Sequence, residues 1–360
     1  MKCILIIALA AMAYHTTAQS LQPGFDKAEY RELMAVSART TANPSYYDTL
    51  PAPERFTMLY QSAPMGLDNL WDLWEDKHKV AAISIRGTTA KEISWLANFY
   101  AAMVPANGKL TVNKEYTFRY KLAHNPRATV HVGWLLCLAY LSKDMLPKID
   151  SLYTTGVKDF FIIGHSQGGA IAYLLTAYLH HLQTDGALPK DIRFKTYCSA
   201  APKPGNLYFA YDYEAITQNG FAYNVVNSAD WVPETPFSLQ TLKDFNATNP
   251  FVNAKKVIKK MGFPKSLVLK WVYNKLERKP RKAMQYYCKN LGKRVGGMIK
   301  KAVPGFEPPQ YAENMNYVRT GNHIALQADE TYYSKYPDNP NTPFVHHLHL
   351  PYLYLLDKLQ

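Results

Sequence analysis

The chain has 360 residues, 48% of them hydrophobic, enough to bury one large core and to exclude a disordered or low-complexity chain. Its net charge of +13 is local: sixteen Lys or Arg and one acid, Glu277, lie between Lys255 and Lys301, and the other 25 basic and 27 acidic residues nearly cancel. Beyond Cys3, the cysteines Cys137, Cys198 and Cys288 are odd in number and have no metal-like spacing, so no disulfide framework is implied.

Lys2, the apolar run Ile4 to Ala13 and the small residues Thr16-Thr17-Ala18 read as a secretory leader cleaved after Ala18. The run is too short for a membrane span, which needs about twenty residues. One catalytic domain over 19–360 and export to the periplasm or the outside are therefore expected. Lys79 to Arg86 is a β-branched strand ending in the loop Gly87-Thr88-Thr89, and Ala90 to Val104 has the composition of a short helix with a large apolar face. A strand over Arg127 to Val132 and a helix over Trp134 to Leu146 follow. Val157 to Ile163 is a strand, Gln167 to Leu182 a helix, and Ile192 to Ala200, Phe221 to Val226 and Tyr317 to Leu326 are strands. Pro351 to Leu359 reads as a terminal helix. The alternation predicts an α/β fold with a mostly parallel sheet and helices on both faces. The basic segment, over about 245–308, interrupts it as an insertion.

Three features carry chemistry. Gly164-His165-Ser166-Gln167-Gly168 is a weak signal alone, but it sits between the strand ending Phe160-Phe161-Ile162-Ile163 and a helix starting Gly169-Ala170-Ile171, the arrangement of a nucleophile elbow. The helix start aims free N–H groups at Ser166, favouring the negative charge that develops in acyl transfer. A serine nucleophile needs a base, and the base an acid, in the chain order Ser, acid, His. Asp230, after the strand Tyr223-Asn224-Val225-Val226, fits the acid. The base is one of His346, His347 and His349, just ahead of the last helix, with His349 ranked first and His347 second; His323 falls inside a strand. A metal site built from the three histidines has no acidic or cysteine partner nearby in sequence.

These residues resemble the class 3, or fungal-type, triacylglycerol lipases, which have the α/β-hydrolase fold. Arg86-Gly87-Thr88 is similar to the family's Arg-Gly-Ser/Thr, Val130-His131-Val132-Gly133-Trp134 to its Val-His-x-Gly-Phe, and Gly164 to Gly169 to its elbow. Asn227 to Pro233 is similar to its acid-bearing segment, and His349-Leu350-Pro351-Tyr352 to its terminal His-x-x-Tyr, which is what ranks His349 first. The resemblance implies that the N–H and hydroxyl of Thr88 and the N–H of Gln167 form the oxyanion hole, that His131 is structural, and that a lid helix around Trp95 to Met103 covers the serine. Asn98 and Ala200 depart from the family, which often has Asp and Gly there, and the basic insertion is foreign to it.

The expected activity is hydrolysis of acyl-lipid esters, triacylglycerol-like, through an acyl-enzyme, with no cofactor or metal. A phospholipase, a soluble-ester (feruloyl-type) esterase and a catalytically silent lipid-surface binding protein are the alternatives. Aromatic and aliphatic residues among the cations of Lys255 to Lys301 suit peripheral contact with an anionic membrane, with a solvated helical cap as the rival; a nucleic-acid partner is not expected of an exported hydrolase.

Overall fold

The computed structural model describes residues 21–359, so the expected leader lies outside the described residues. The chain begins with helices that the sequence reading did not mark, α1 (Lys27–Thr40) and the single turn α2 (Pro44–Tyr47). Three strands follow, β1 (Thr57–Gln61), β2 (Trp71–Glu75) and β3 (Val80–Ile85). Helix α3 (Glu92–Phe99) leads to β4 (Met103–Pro105), the hairpin β5 (Asn107–Thr111) and β6 (Thr117–Lys121), and β7 (Thr129–His131). Then come α4 (Val132–Thr154), β8 (Asp159–His165), α5 (Gln167–Thr184) and β9 (Arg193–Ser199). β10 (Gly205–Asn206), α6 (Leu207–Thr217) and β11 (Ala222–Asn227) precede the basic insertion.

The insertion is helical, as expected: α7 (Ala254–Lys260), α8 (Lys265–Tyr287), a π-helical stretch over Cys288–Arg294, and α9 (Val295–Ala302). The chain returns through β12 (Tyr317–Val318), β13 (Asn322–Leu326), α10 (Glu330–Lys335) and α11 (His349–Lys358). Among the described residues no helix is long and apolar enough to cross a membrane.

The central sheet has the order β1-β2-β3-β8-β9-β11-β13. Its five strands from β3 onward are mutually parallel, and β2 and β1 extend it antiparallel at one edge. β3 and β8 are buried along their whole length, which is why they read as continuous apolar runs. One core lies between the sheet and α4 and α5, and a second lies on the opposite face under α1 and α11. The registers Ile85↔Gly164 and His165↔Ser199 bring the ends of β3, β8 and β9 together around Ser166.

Two expectations are corrected. The predicted strand Tyr317 to Leu326 is two strands in two sheets, divided where Gly321 takes φ +85°. The expected lid helix does not reach Met103: α3 ends at Phe99, Tyr100 to Val104 are buried, and β4 pairs with β7. The run instead supplies the edge strand of the small sheet β12-β10-β7-β4, and its pairing satisfies the backbone groups that β7 would otherwise leave open on that side.

Candidate active site

Ser166 sits between β8 and α5 at φ +61°, ψ −130°, a backbone conformation that L residues seldom adopt outside sites that need it. Its N–H donates to the Ser199 carbonyl at 2.9 Å, and its carbonyl accepts from Gly169 N–H at 2.9 Å. The flanking glycines are steric requirements. A Cβ on Gly164 would stand 2.2 Å from the Gly168 carbonyl carbon and oxygen, and one on Gly168 only 2.1 Å from the Ile85 carbonyl oxygen. Ala200 takes φ +50°, which accounts for glycine being common at this place in the family it resembles.

The loop after β3 is held against this turn through Asn98. The Trp134 indole N–H and the Gln167 side-chain amide both donate to Asn98 Oδ1 at 3.0 Å, and Asn98 Nδ2 donates to Thr88 Oγ1 at 2.9 Å. Because an indole nitrogen can only donate, the Asn98 amide has one allowed orientation, and Thr88 Oγ1 accepts while keeping its own proton for another partner. The Asn98 carbonyl accepts from His131 Nε2 at 3.2 Å, and His131 stacks on Trp134 with centroids 3.6 Å apart. Burial pushes the His131 pKa down to about 3, so it is a neutral spacer. Helix α3, expected to be mobile, is thus fastened to both expected oxyanion residues. The first N–H groups of α5, beginning at Gln167, have no intrahelical partner by helix geometry.

Asp230 follows β11 and is buried. Its Oδ1 accepts from Val232 N–H at 3.0 Å, and its Oδ2 accepts from His347 Nδ1 and from the Tyr352 hydroxyl, both at 2.7 Å. His347 Nε2 is buried with no hydrogen-bond partner among the described residues. The loop carrying it is tied to the elbow, since the His347 carbonyl accepts from His165 Nε2 at 2.6 Å. His165 Nδ1 then accepts from the Ser199 hydroxyl, which accepts from Tyr30 on α1. Neighbouring His346 takes no part: it bonds Tyr332 and Asp338.

The expectation that His349 partners Asp230 is corrected by this geometry. His349 is the first residue of α11 and points into α1 and α2. Its Nδ1 accepts from the Tyr46 hydroxyl at 2.7 Å, its Nε2 donates to Ser37 Oγ at 3.3 Å, and its ring stacks on His165 at 4.3 Å. Burial, then the nearby His347 charge, pushes its pKa down to about 3. His347 instead closes the turn Val345–His347, on the loop ahead of the terminal helix. The sequence reading named Tyr352 only as part of the terminal motif and missed Tyr30, Ser37 and Tyr46: Tyr352 bonds Asp230, Ser37 and Tyr46 bond His349, and Tyr30 bonds the Ser199 hydroxyl that meets His165.

An aromatic rim borders the site. Phe344 lies 6.0 Å from Trp95, 5.4 Å from Trp231 and 5.9 Å from His347 between ring centroids, and Phe99, Trp231, Leu348 and Leu350 are exposed. A cavity of about 550 Å³ between α8 and residues 308–313 shares no residue with this site.

Residues 82–240 match the model of the Lipase (class 3) family. Among solved structures, a Rhizomucor miehei lipase in its propeptide complex is 19% identical, with 60% of this chain and 65% of that one covered and a TM-score of 0.43. Lipase II from Rhizopus niveus is 20% identical, over 58% and 74%, with a TM-score of 0.43. A lipase from Rhizopus microsporus var. chinensis is 20% identical, over 59% and 69%, at 0.40. The chain thus spans a little under two thirds of the first of these relatives. Comparison with curated proteins gives no match.

Proposed function

With residues 82–240 belonging to the class 3 lipase family, we propose that the chain is an exported hydrolase of acyl-lipid esters, triacylglycerol-like, in which Ser166, His347 and Asp230 act together. The observation that carries the reading is His347, with Nδ1 bonded to buried Asp230 and Nε2 left without a partner. Asp230 accepts three hydrogen bonds and so holds the tautomer in which Nε2 is free to take a proton.

In the proposed reaction Ser166 Oγ passes its proton to His347 Nε2 and attacks the acyl carbon. The oxyanion meets the N–H groups of Thr88 and Gln167 and the Thr88 hydroxyl proton, which Asn98 leaves unused. His347 returns the proton to the departing alcohol; water, deprotonated by the same nitrogen, then attacks the acyl carbon, and that proton passes to Ser166 Oγ as the acid leaves. The exposed rim of Phe99, Trp231, Leu348 and Leu350 suits an acyl chain better than a polar substrate. Export by the leader belongs to the same reading; contact of Lys255 to Lys301 with an anionic membrane is proposed beside it and does not depend on catalysis.

Ser166→Ala and the wild type, assayed on p-nitrophenyl butyrate, test the proposal. A loss of about 10⁴-fold or more is expected. Equal residual rates would instead mark a lipid-surface binding protein without catalysis.

A further inference from the structure

Helix α8 is built inside out. A surface helix normally turns its apolar stripe to the core and its charges to water. Here the buried residue is Met284, and at 100° per residue the half of the helix opposite it carries Leu267, Val268, Trp271, Val272 and Tyr286. These are 58%, 60%, 63%, 38% and 67% exposed. Lys275, Arg278, Lys279 and Lys282 lie on the same outer half, all exposed, with Lys275 Nζ 5.4 Å from the centroid of the Trp271 ring. At the tip between α7 and α8, Phe263 is 83% exposed.

We propose that this outer face of α8, with the tip at Phe263, is a docking surface for a lipid bilayer carrying anionic headgroups. Aliphatic side chains gain by leaving water for the acyl boundary, and the cations between them gain from the headgroup charge. A nucleic acid would engage the cations and the aromatic rings but offers nothing to Leu267, Val268 and Val272. A second copy of the chain would bring another segment of sixteen cations and one acid against the first, and the two would repel.

The rest of the insertion roots this face against α3, the helix that carries Asn98. Helix α9 packs on α3. Cβ atoms built on Gly292 and Gly296 would stand 3.0 Å from Ala102 Cβ and 3.0 Å from the Tyr100 hydroxyl, so the insertion lies directly on the segment that follows α3. The role of docking, presenting membrane lipid to the site, rests on the hydrolase reading; the docking itself does not.

Sedimentation with vesicles of phosphatidylcholine alone, and of phosphatidylcholine and phosphatidylserine in equal parts, at low and high salt, tests the proposal without any turnover. Wild type is expected to bind the mixed vesicles more tightly, and less so at high salt. Lys275→Gln/Lys279→Gln/Lys282→Gln should weaken that binding on the order of a hundredfold. Val268→Ser/Trp271→Ser/Val272→Ser should weaken binding to the mixed vesicles at both salt levels. Both variants should keep the wild-type melting temperature and p-nitrophenyl butyrate rate, which shows that they fold. Equal binding to both vesicle types, or wild-type binding by both variants, would overturn the proposal. So would tighter binding to a DNA or RNA oligomer than to the mixed vesicles, or self-association abolished by the apolar variant when vesicle binding is absent. A Ser166→Ala protein that still binds the vesicles separates failure of the hydrolase reading from failure of docking.

Discussion

Replacing His347 and His349 separately by asparagine should divide catalysis from acid stability. His347 is the imidazole bonded to Asp230, so His347→Asn removes the proposed base and should lower kcat/KM on a soluble ester about 10⁴-fold or more, with KM little changed. His349 bonds Tyr46 and Ser37 instead, and His349→Asn should stay within about tenfold of wild type. Its effect is on stability. Burial lowers the His349 pKa from 6.5 to about 3 in the folded chain. The unfolded imidazole therefore takes up a proton near pH 6.5 that the folded one refuses. Stability from this group is present above pH 6.5 and is lost as pH falls toward 3, at about 1.4 kcal/mol per unit. Asparagine does not titrate. Whatever His349→Asn costs at pH 7.5 through lost packing, the gap to wild type in urea unfolding should narrow by about 3 kcal/mol at pH 4. Greater loss of activity on changing His349 than His347 would refute the triad assignment, and a gap independent of pH would refute the neutral, buried state of His349.

Asn98→Leu leaves the Thr88 hydroxyl without its donor and strands the Trp134 indole; kcat on p-nitrophenyl butyrate should fall roughly ten- to a hundredfold with a small change in KM. Gly168→Ala puts a Cβ 2.1 Å from the Ile85 carbonyl oxygen and should cost about 3 kcal/mol in urea unfolding, or prevent soluble expression. Asp72 shows the opposite pH dependence from His349: burial raises its pKa to about 6, so the stability it contributes is present below pH 3.8 and lost as pH rises through 6. Asp72→Asn should gain up to about 3 kcal/mol on wild type between pH 3.5 and pH 7.5, measured by urea unfolding at both.

The elbow was legible because it is local. A buried run of β-branched and aromatic residues, three glycines and a helix-forming stretch lie within about twenty consecutive positions, and the steric reason for each glycine acts over a few residues. Asp230 was legible from chain order and from its place after a strand. The basic insertion showed as a change in charge, and its place between β11 and β13 followed from the strands on either side. Helices α1 and α2 were not marked, since α1 alternates charged and apolar residues without a strong contrast; yet Tyr30, Ser37 and Tyr46 on them determine what His165 and His349 bond.

The amino-acid order by itself determined the fold class and singled out Ser166 and Asp230 as the proposed nucleophile and acid, because backbone geometry and strand burial depend on neighbours along the chain. It narrowed the proposed base to three histidines within four positions and could go no further. That choice depends on where the turn Val345–His347 stops and α11 starts, and on which ring then meets Asp230, a residue more than a hundred positions away. The same holds for the fastening of α3 by Asn98 and for the outward turn of α8's apolar face. Each depends on which surfaces the rest of the molecule has already covered, a property of the packed structure that no local pattern encodes.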